Sequence, residues 1–142
     1  MKLKNLAFLS IALFGLLSCE KQEGEGGTSR IKGNVYEIQY DASFQLVIDT
    51  VPYVEEDVFI IYGNNSSTYD DDYKTSYDGS YKFPFLQKGN YRIFAYSDDS
   101  TGAAIGNVNS ANPKIPVIVR VTIDKNGSEF IAPDIYIIKN NR

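Results

Sequence analysis

Apolar residues along this chain alternate with polar ones far more often than they recur at every third or fourth position. Ile115, Val117, Val119, Val121 and Ile123 share one parity, against Arg120, Thr122 and Asp124 on the other. Phe44, Leu46 and Ile48 alternate in the same way with Gln45, Val47 and Asp49. A period of two is that of an extended chain with one face on a core, so both segments predict half-buried strands. Val58–Tyr62 is apolar throughout and predicts a central strand covered on both faces. In Ile31–Tyr40 the apolar parity switches between Val35 and Tyr36, which predicts a bulge near Gly33 or a strand crossing between sheets. No stretch after Cys19 carries the i, i+3, i+4, i+7 spacing of an amphipathic helix.

Turn chemistry punctuates these runs. Asn126-Gly127, between Ile123 and Phe130, is the strongest hairpin signal, because a type I′ turn needs positive φ at both central residues. Asp78-Gly79 ahead of Tyr81 and Lys88-Gly89-Asn90 ahead of Tyr91 read as further turns. Polar segments 64–78 and 98–112 read as loops and as contact regions, since loops on a rigid scaffold are where binding resides. Seven to eight short strands with such turns predict an all-β chain folded as a single antiparallel β-sandwich. No internal repeat is visible.

The first residues obey other rules. Lys2 and Lys4 precede a 12-residue apolar block, Leu6–Leu17, interrupted only by Ser10, with small Ser18 and then Cys19. Twelve helical residues reach about 18 Å, short of a hydrocarbon core of roughly 30 Å, so the block is an export signal and not a spanning helix. Leu16-Leu17-Ser18-Cys19 resembles the lipobox of bacterial lipoproteins, which implies removal of residues 1–18 and acylation of Cys19. Two or three acyl chains, at about 0.8 kcal/mol per buried CH₂, anchor a protein stably. Residues 19–29 have no apolar side chain beyond Cys19 and include Gly24, Gly26 and Gly27, which predicts a flexible tether. Residues 30–142 remain for the sandwich, enough to build a core without disulfides or metals. The acidic stretch after Cys19 also resembles the surface-export signal of lipoproteins in some Gram-negative groups. The address implied is the bacterial cell envelope, as an outer-membrane lipoprotein facing the periplasm or the surface.

Composition narrows the chemistry. The chain has no His, no Trp and one Cys, with 11 Tyr and 8 Phe. Without His it lacks the commonest general base and the commonest transition-metal ligand. With one Cys no intrachain disulfide can form. Net charge is −4 with 14 basic and 18 acidic side chains, and loss of Lys2 and Lys4 makes it more acidic. Such a surface repels phosphate backbones, which argues against nucleic acid as a partner.

The run Gly79-Ser80-Tyr81-Lys82-Phe83-Pro84-Phe85-Leu86-Gln87-Lys88-Gly89-Asn90-Tyr91 resembles the signature of prealbumin-like (transthyretin-like) sandwiches, among them carboxypeptidase regulatory-like domains and B-type repeats of bacterial adhesins. Gly79, Tyr81, Phe83, Leu86, Gly89 and Tyr91 fall in the family's register, and Gly33-Asn34-Val35-Tyr36 resembles its opening strand. The motif speaks for the fold and is nearly silent on function, because this sandwich hosts many roles. The hydroxyisourate hydrolases of the family work with histidines, which this chain lacks. The adhesin repeats often carry a Lys–Asn or Lys–Asp isopeptide bond; Lys32 and Asp134 are the nearest counterparts here, without the family's promoting Glu.

Three constellations remain. Asp70-Asp71-Asp72, with Asp78 nearby, offers hard oxygen ligands for calcium, though not at EF-hand spacing, and such a run is more commonly solvated loop. Tyr69, Tyr73, Tyr77 and Tyr81 recur every fourth residue, so an extended chain would place them on one face. Tyr81 then reads as core, and the first three either cover a sheet edge, the commoner outcome, or form a candidate protein- or sugar-binding face. Asp49-Thr50-Val51 and Asp99-Ser100-Thr101 resemble short O-glycosylation sites of exported proteins. No Ser, Lys or Cys sits in an activated arrangement and no cofactor motif is present. The chain therefore reads as a lipid-anchored, non-enzymatic binding or structural module for a protein or glycan. A small carboxylate hydrolase and a subunit of a larger envelope assembly are the alternatives.

Overall fold

The computed structural model describes residues 22–43, 45–98 and 114–139. Among them are nine strands and no helix: β1 (Glu25–Tyr40), β2 (Val47–Pro52), β3 (Asp57–Tyr62), β4 (Asp71–Lys74), β5 (Ser80–Leu86), β6 (Gly89–Asp98), β7 (Lys114–Ile123), β8 (Glu129–Ile131) and β9 (Ile135–Ile137). Cys19, Phe44 and most of segment 98–112 lie outside the described residues.

Two sheets face each other. One has the order β4-β3-β6-β7, all antiparallel; the other is built around β1 and contains β2, β5, β8 and β9. Val35 donates its N–H to Gly79 and accepts from Tyr53, both at 2.9 Å, so β5 and β2 follow one another along one edge of β1. Arg30 and Lys32 bond instead to Ser128 and Ala132, so β8 and then β9 take the opposite edge. β8 and β9 run parallel to β1. The sheet is therefore mixed, and the expected wholly antiparallel pairing is corrected, as is the strand count.

The inner faces close over Ile31, Val35, Tyr81, Phe83, Leu86, Ile135 and Ile137 from one sheet and Val58, Ile60, Tyr91, Ile93, Ala95, Val121 and Ile123 from the other. β7 and β3 behave as their patterns predict. In β7 the odd residues from Val117 to Ile123 turn inward and the even ones out, whereas Ile115, expected on the buried face, is exposed; β3 lies between β4 and β6.

Four expectations change. In β1 the buried positions run unbroken through Ile31, Gly33, Val35 and Glu37, with register shifts only near Ser29 and Tyr40. There is no bulge at Gly33, but β1 does change partners there, from β5 and β8 up to Asn34 to β2 and β9 from Val35. The missing side chain of Gly33 leaves room for the Tyr81 ring, because a Cβ there would lie 2.3 Å from the Tyr81 hydroxyl. β2 is not half-buried: among the described residues it pairs only with β1, and Leu46, Val47 and Ile48 are 57–69% exposed. Asn126-Gly127 does not close a hairpin, since β7 and β8 belong to different sheets and only Gly127 has positive φ. The stretch expected to be tether is ordered from Gln22, β1 starts at Glu25, and Ser29 is fully buried. Its glycines serve close packing, as a Cβ at Gly27 would lie 1.9 Å from the Leu86 carbonyl oxygen.

Strand β5 explains the 79–91 motif. Strict alternation after Tyr81 and Phe83 would bury Phe85. Phe85 instead adopts φ +60°, which turns it to solvent and sends Leu86 into the core. The turns before and after β5 use Gly79 at φ +74° and Gly89 at φ +149°.

Candidate functional site

The end of the sandwich where β1 begins carries a pocket of about 520 Å³ lined by Glu23, Tyr62, Asn64, Asn65, Ser66 and Asp70, with Gln22 at its margin. Its floor is aromatic. The Tyr62 ring meets Tyr91 edge-on at 5.8 Å, and Gly24 packs on the Tyr62 ring, where a Cβ would lie 3.3 Å from Cδ2. The Tyr91 hydroxyl donates to the Gln87 carbonyl at 2.7 Å and accepts the Gly24 N–H at 3.1 Å. Burial of the Tyr91 ring is therefore combined with a satisfied hydroxyl.

The wall is a loop, residues 63–70, held from below. Gly63 donates to the Asn90 carbonyl at 2.8 Å. Arg92 Nε donates to the Gly63 carbonyl at 3.2 Å, and the same guanidinium donates to the Ser66 carbonyl. A planar fork reaching two carbonyls fixes a loop more firmly than a point charge can. Asp70 closes the loop: its N–H donates to Ile60, and its carboxylate accepts the Tyr62 N–H at 2.7 Å. The side chains of Asn64 and Asn65 are exposed beside it.

The site is acidic. Burial, reinforced by Glu25, Asp71 and Asp70, pushes the Tyr62 hydroxyl up to about 12, so it stays a neutral donor. Amides, carboxylates and a phenol over an aromatic floor suit a ligand rich in hydroxyl groups and carrying no negative charge.

The residues singled out from sequence scatter. Asp70 lines this pocket, but Asp71 and Asp72 lie in β4, paired with Ile60 and Phe59, and project to opposite faces. The candidate calcium ligands Asp70, Asp71 and Asp72 do not converge: among the described residues no three His, Cys, Asp or Glu side chains are grouped to hold a metal. Segment 64–78 is not one loop, because β4 interrupts it. The tyrosines do not form a row. Tyr69 rests on Phe59 at 4.7 Å, Tyr73 turns inward to Phe83 at 6.3 Å, and Tyr77 stands 86% exposed in the turn at 76–79. A loop, a short strand and a turn between them break the constant register on which the shared face depended.

Lys32 pairs at the surface with Glu129 at 2.9 Å, which gives its amine a partner other than Asp134. Sequence reasoning missed Glu23 and Tyr62, the first because it falls in an apparent linker and the second because it ends an apolar strand. Gly24, Gly63 and Gly89 were the available signal, since all three crowd Tyr62 or Glu23.

No protein-family model matches the chain, and no curated protein matches it. Among solved structures it resembles a Pseudomonas aeruginosa protein provisionally described as carbohydrate-binding. The two share 14% identity over 82% of this chain and 91% of that one, with a TM-score of 0.46.

Proposed function

We propose that this chain is a non-enzymatic binding module, anchored to the bacterial cell envelope through acylated Cys19, whose end pocket takes an uncharged sugar unit of a glycan. The observation that carries the reading is the lining of that pocket: Asn64, Asn65, Glu23 and Asp70 set around the Tyr62 ring. Amide and carboxylate groups pair with neighbouring hydroxyls, while an aromatic surface accepts the apolar face of a sugar ring. The lipobox-like Leu16–Cys19 supports the anchor, and the run from Gly79 to Tyr91 supports a sandwich of prealbumin-like type.

The test is calorimetric titration of the purified full chain with a panel of neutral and acidic oligosaccharides, beside the double variant Asn64→Ala/Asn65→Ala. Binding of a neutral sugar that weakens at least tenfold in the variant, with the sugar recovered intact, supports the proposal. Binding unaffected by the variant refutes the site. A cleaved sugar refutes the non-enzymatic reading in favour of a carboxylate hydrolase using Glu23 and Asp70, the two acids that share the pocket.

A second reading has its own observation. Among the described residues β2 pairs with β1 alone, and Leu46, Val47 and Ile48 are exposed beside its other edge. An open edge with apolar side chains is a template for another strand, as in a subunit of a larger assembly. Co-purification of a stoichiometric envelope protein that is lost on Val47→Lys would favour it.

A further inference from the structure

The distance along the chain between Cys19 and the first fixed residue is short. Gly24 is buried, accepts the Gln87 N–H at 2.8 Å and donates to Tyr91, so the fold takes hold there. Gln87 Nε2 then donates to the Glu25 carbonyl at 2.7 Å, and a Cβ at Gly89 would lie 2.0 Å from Glu23 Cγ. Five residues from Cys19 to Gly24 extend to at most about 18 Å. From Glu25 the 16 residues of β1 lead away from that end for roughly 50 Å at a strand rise of ~3.3 Å. The hairpin at residues 41–46 therefore sits at the far end. The 87–89 connection and the pocket sit at the near one.

We infer that the pocket is the membrane-facing end of the anchored domain and that its occupant is the uncharged sugar headgroup of a membrane glycolipid. This rests on the proposed acylation and on the proposed sugar specificity. A pocket held within about 18 Å of the anchoring residue meets sugars borne by the same bilayer before it meets free glycans. Its acidic lining, with Glu23 and Asp70 in the wall, disfavours phosphorylated headgroups and leaves neutral ones.

The experiment uses the full acylated chain in nanodiscs, where Cys19 is consumed by the lipid. A fluorophore is placed through Lys88→Cys at the near end or Gln45→Cys at the far end, with nitroxide-headgroup lipids as quencher. Quenching at position 88 at least threefold stronger than at 45, abolished by ten Gly/Ser residues inserted between Glu20 and Lys21, is the expected result. Equal quenching at both positions overturns the orientation. With orientation established, nanodiscs carrying a neutral galactolipid should protect Asn64 and Asn65 amides from hydrogen exchange relative to plain phosphatidylcholine discs. If protection comes only from free oligosaccharide, the headgroup assignment is overturned while the sugar-binding reading stands. If neither protects, the sugar-binding reading falls. An N-terminal mass lacking acyl chains removes the anchor and this inference with it.

Discussion

Tyr81 offers the sharpest test of the packing described above. Its ring is almost wholly buried between the sheets, yet among the described residues its hydroxyl has no hydrogen-bond partner, and burial, with Asp134 adding to it, pushes the hydroxyl's pKa far up. An unsatisfied buried hydroxyl costs about 1–3 kcal/mol, whereas a satisfied one contributes about 0.5–1.5 kcal/mol. Tyr81→Phe removes the oxygen and keeps the ring, so it should raise stability by about 1 kcal/mol. With a urea m-value of about 1–3 kcal/mol/M, the unfolding midpoint should move up by roughly 0.3–1 M. The companion change is Gly33→Ala, whose Cβ would lie 2.3 Å from the hydroxyl oxygen and 2.5 Å from Cζ. Alanine normally gains roughly 0.5–1 kcal/mol over glycine inside a strand. Here overpacking costs about 1–3 kcal/mol, and Tyr81→Phe relieves only part of it because Cζ remains in the way. Equilibrium urea unfolding followed by tyrosine fluorescence measures both. A midpoint lowered by Tyr81→Phe would show the hydroxyl to be paired, and a neutral Gly33→Ala would show the ring to lie elsewhere.

Phe85→Gly should change stability by less than about 1 kcal/mol, since it exposes little and relieves a positive φ, whereas Phe83→Ala should cost about 3–5 kcal/mol; thermal melts separate them. Glu56 and Lys139 form a 2.8 Å ion pair with both side chains nearly buried, and Lys139 also donates to the Tyr96 carbonyl and lies over the Tyr53 ring. Glu56→Gln should therefore cost about 3 kcal/mol, and Glu56→Gln/Lys139→Met less than the sum of the single changes, as a double-mutant cycle will read. Because the folded Tyr62 hydroxyl titrates near 12, above the ordinary value of about 10, its contribution to stability is complete below pH 10 and lost as pH rises toward 12. Unfolding midpoints across that window should fall less in Tyr62→Phe than in the parent. Arg92→Lys should speed amide exchange at residues 63–66 and weaken sugar binding about tenfold while leaving the melting temperature nearly unchanged.

Legibility in the sequence followed how local each cause was. The period-two face of Ile115–Ile123 and the apolar run Val58–Tyr62 record burial directly, and both strands lie where the pattern placed them. Leu86 falls in the register of the 79–91 motif, but the left-handed Phe85 that sends it into the core leaves no mark in the sequence. Asn126-Gly127 misled because a turn dipeptide states that the chain reverses and not which strand receives it; the receiver is β1, some 100 residues away. Residues 22–29 misled for a different reason. Glycine and polar side chains describe a flexible linker equally well as a backbone pressed against another backbone, and only the facing Leu86 carbonyl distinguishes them. The pocket was half visible: its loop was marked by Asn64-Asn65-Ser66, its opposite wall hidden in that apparent linker.

The pairing of β1 with β8 and β9 has a consequence for the order in which the chain can fold. The central strand of one sheet and its partners on one whole edge lie some 100 residues apart in the chain. Closing so long a loop carries an entropic cost that only the completed core offsets, so folding is slow and awaits the C-terminal residues. Without β8 and β9 one whole edge of that sheet is bare, so the earlier strands have half a sheet to fold onto and no closed core to hold them.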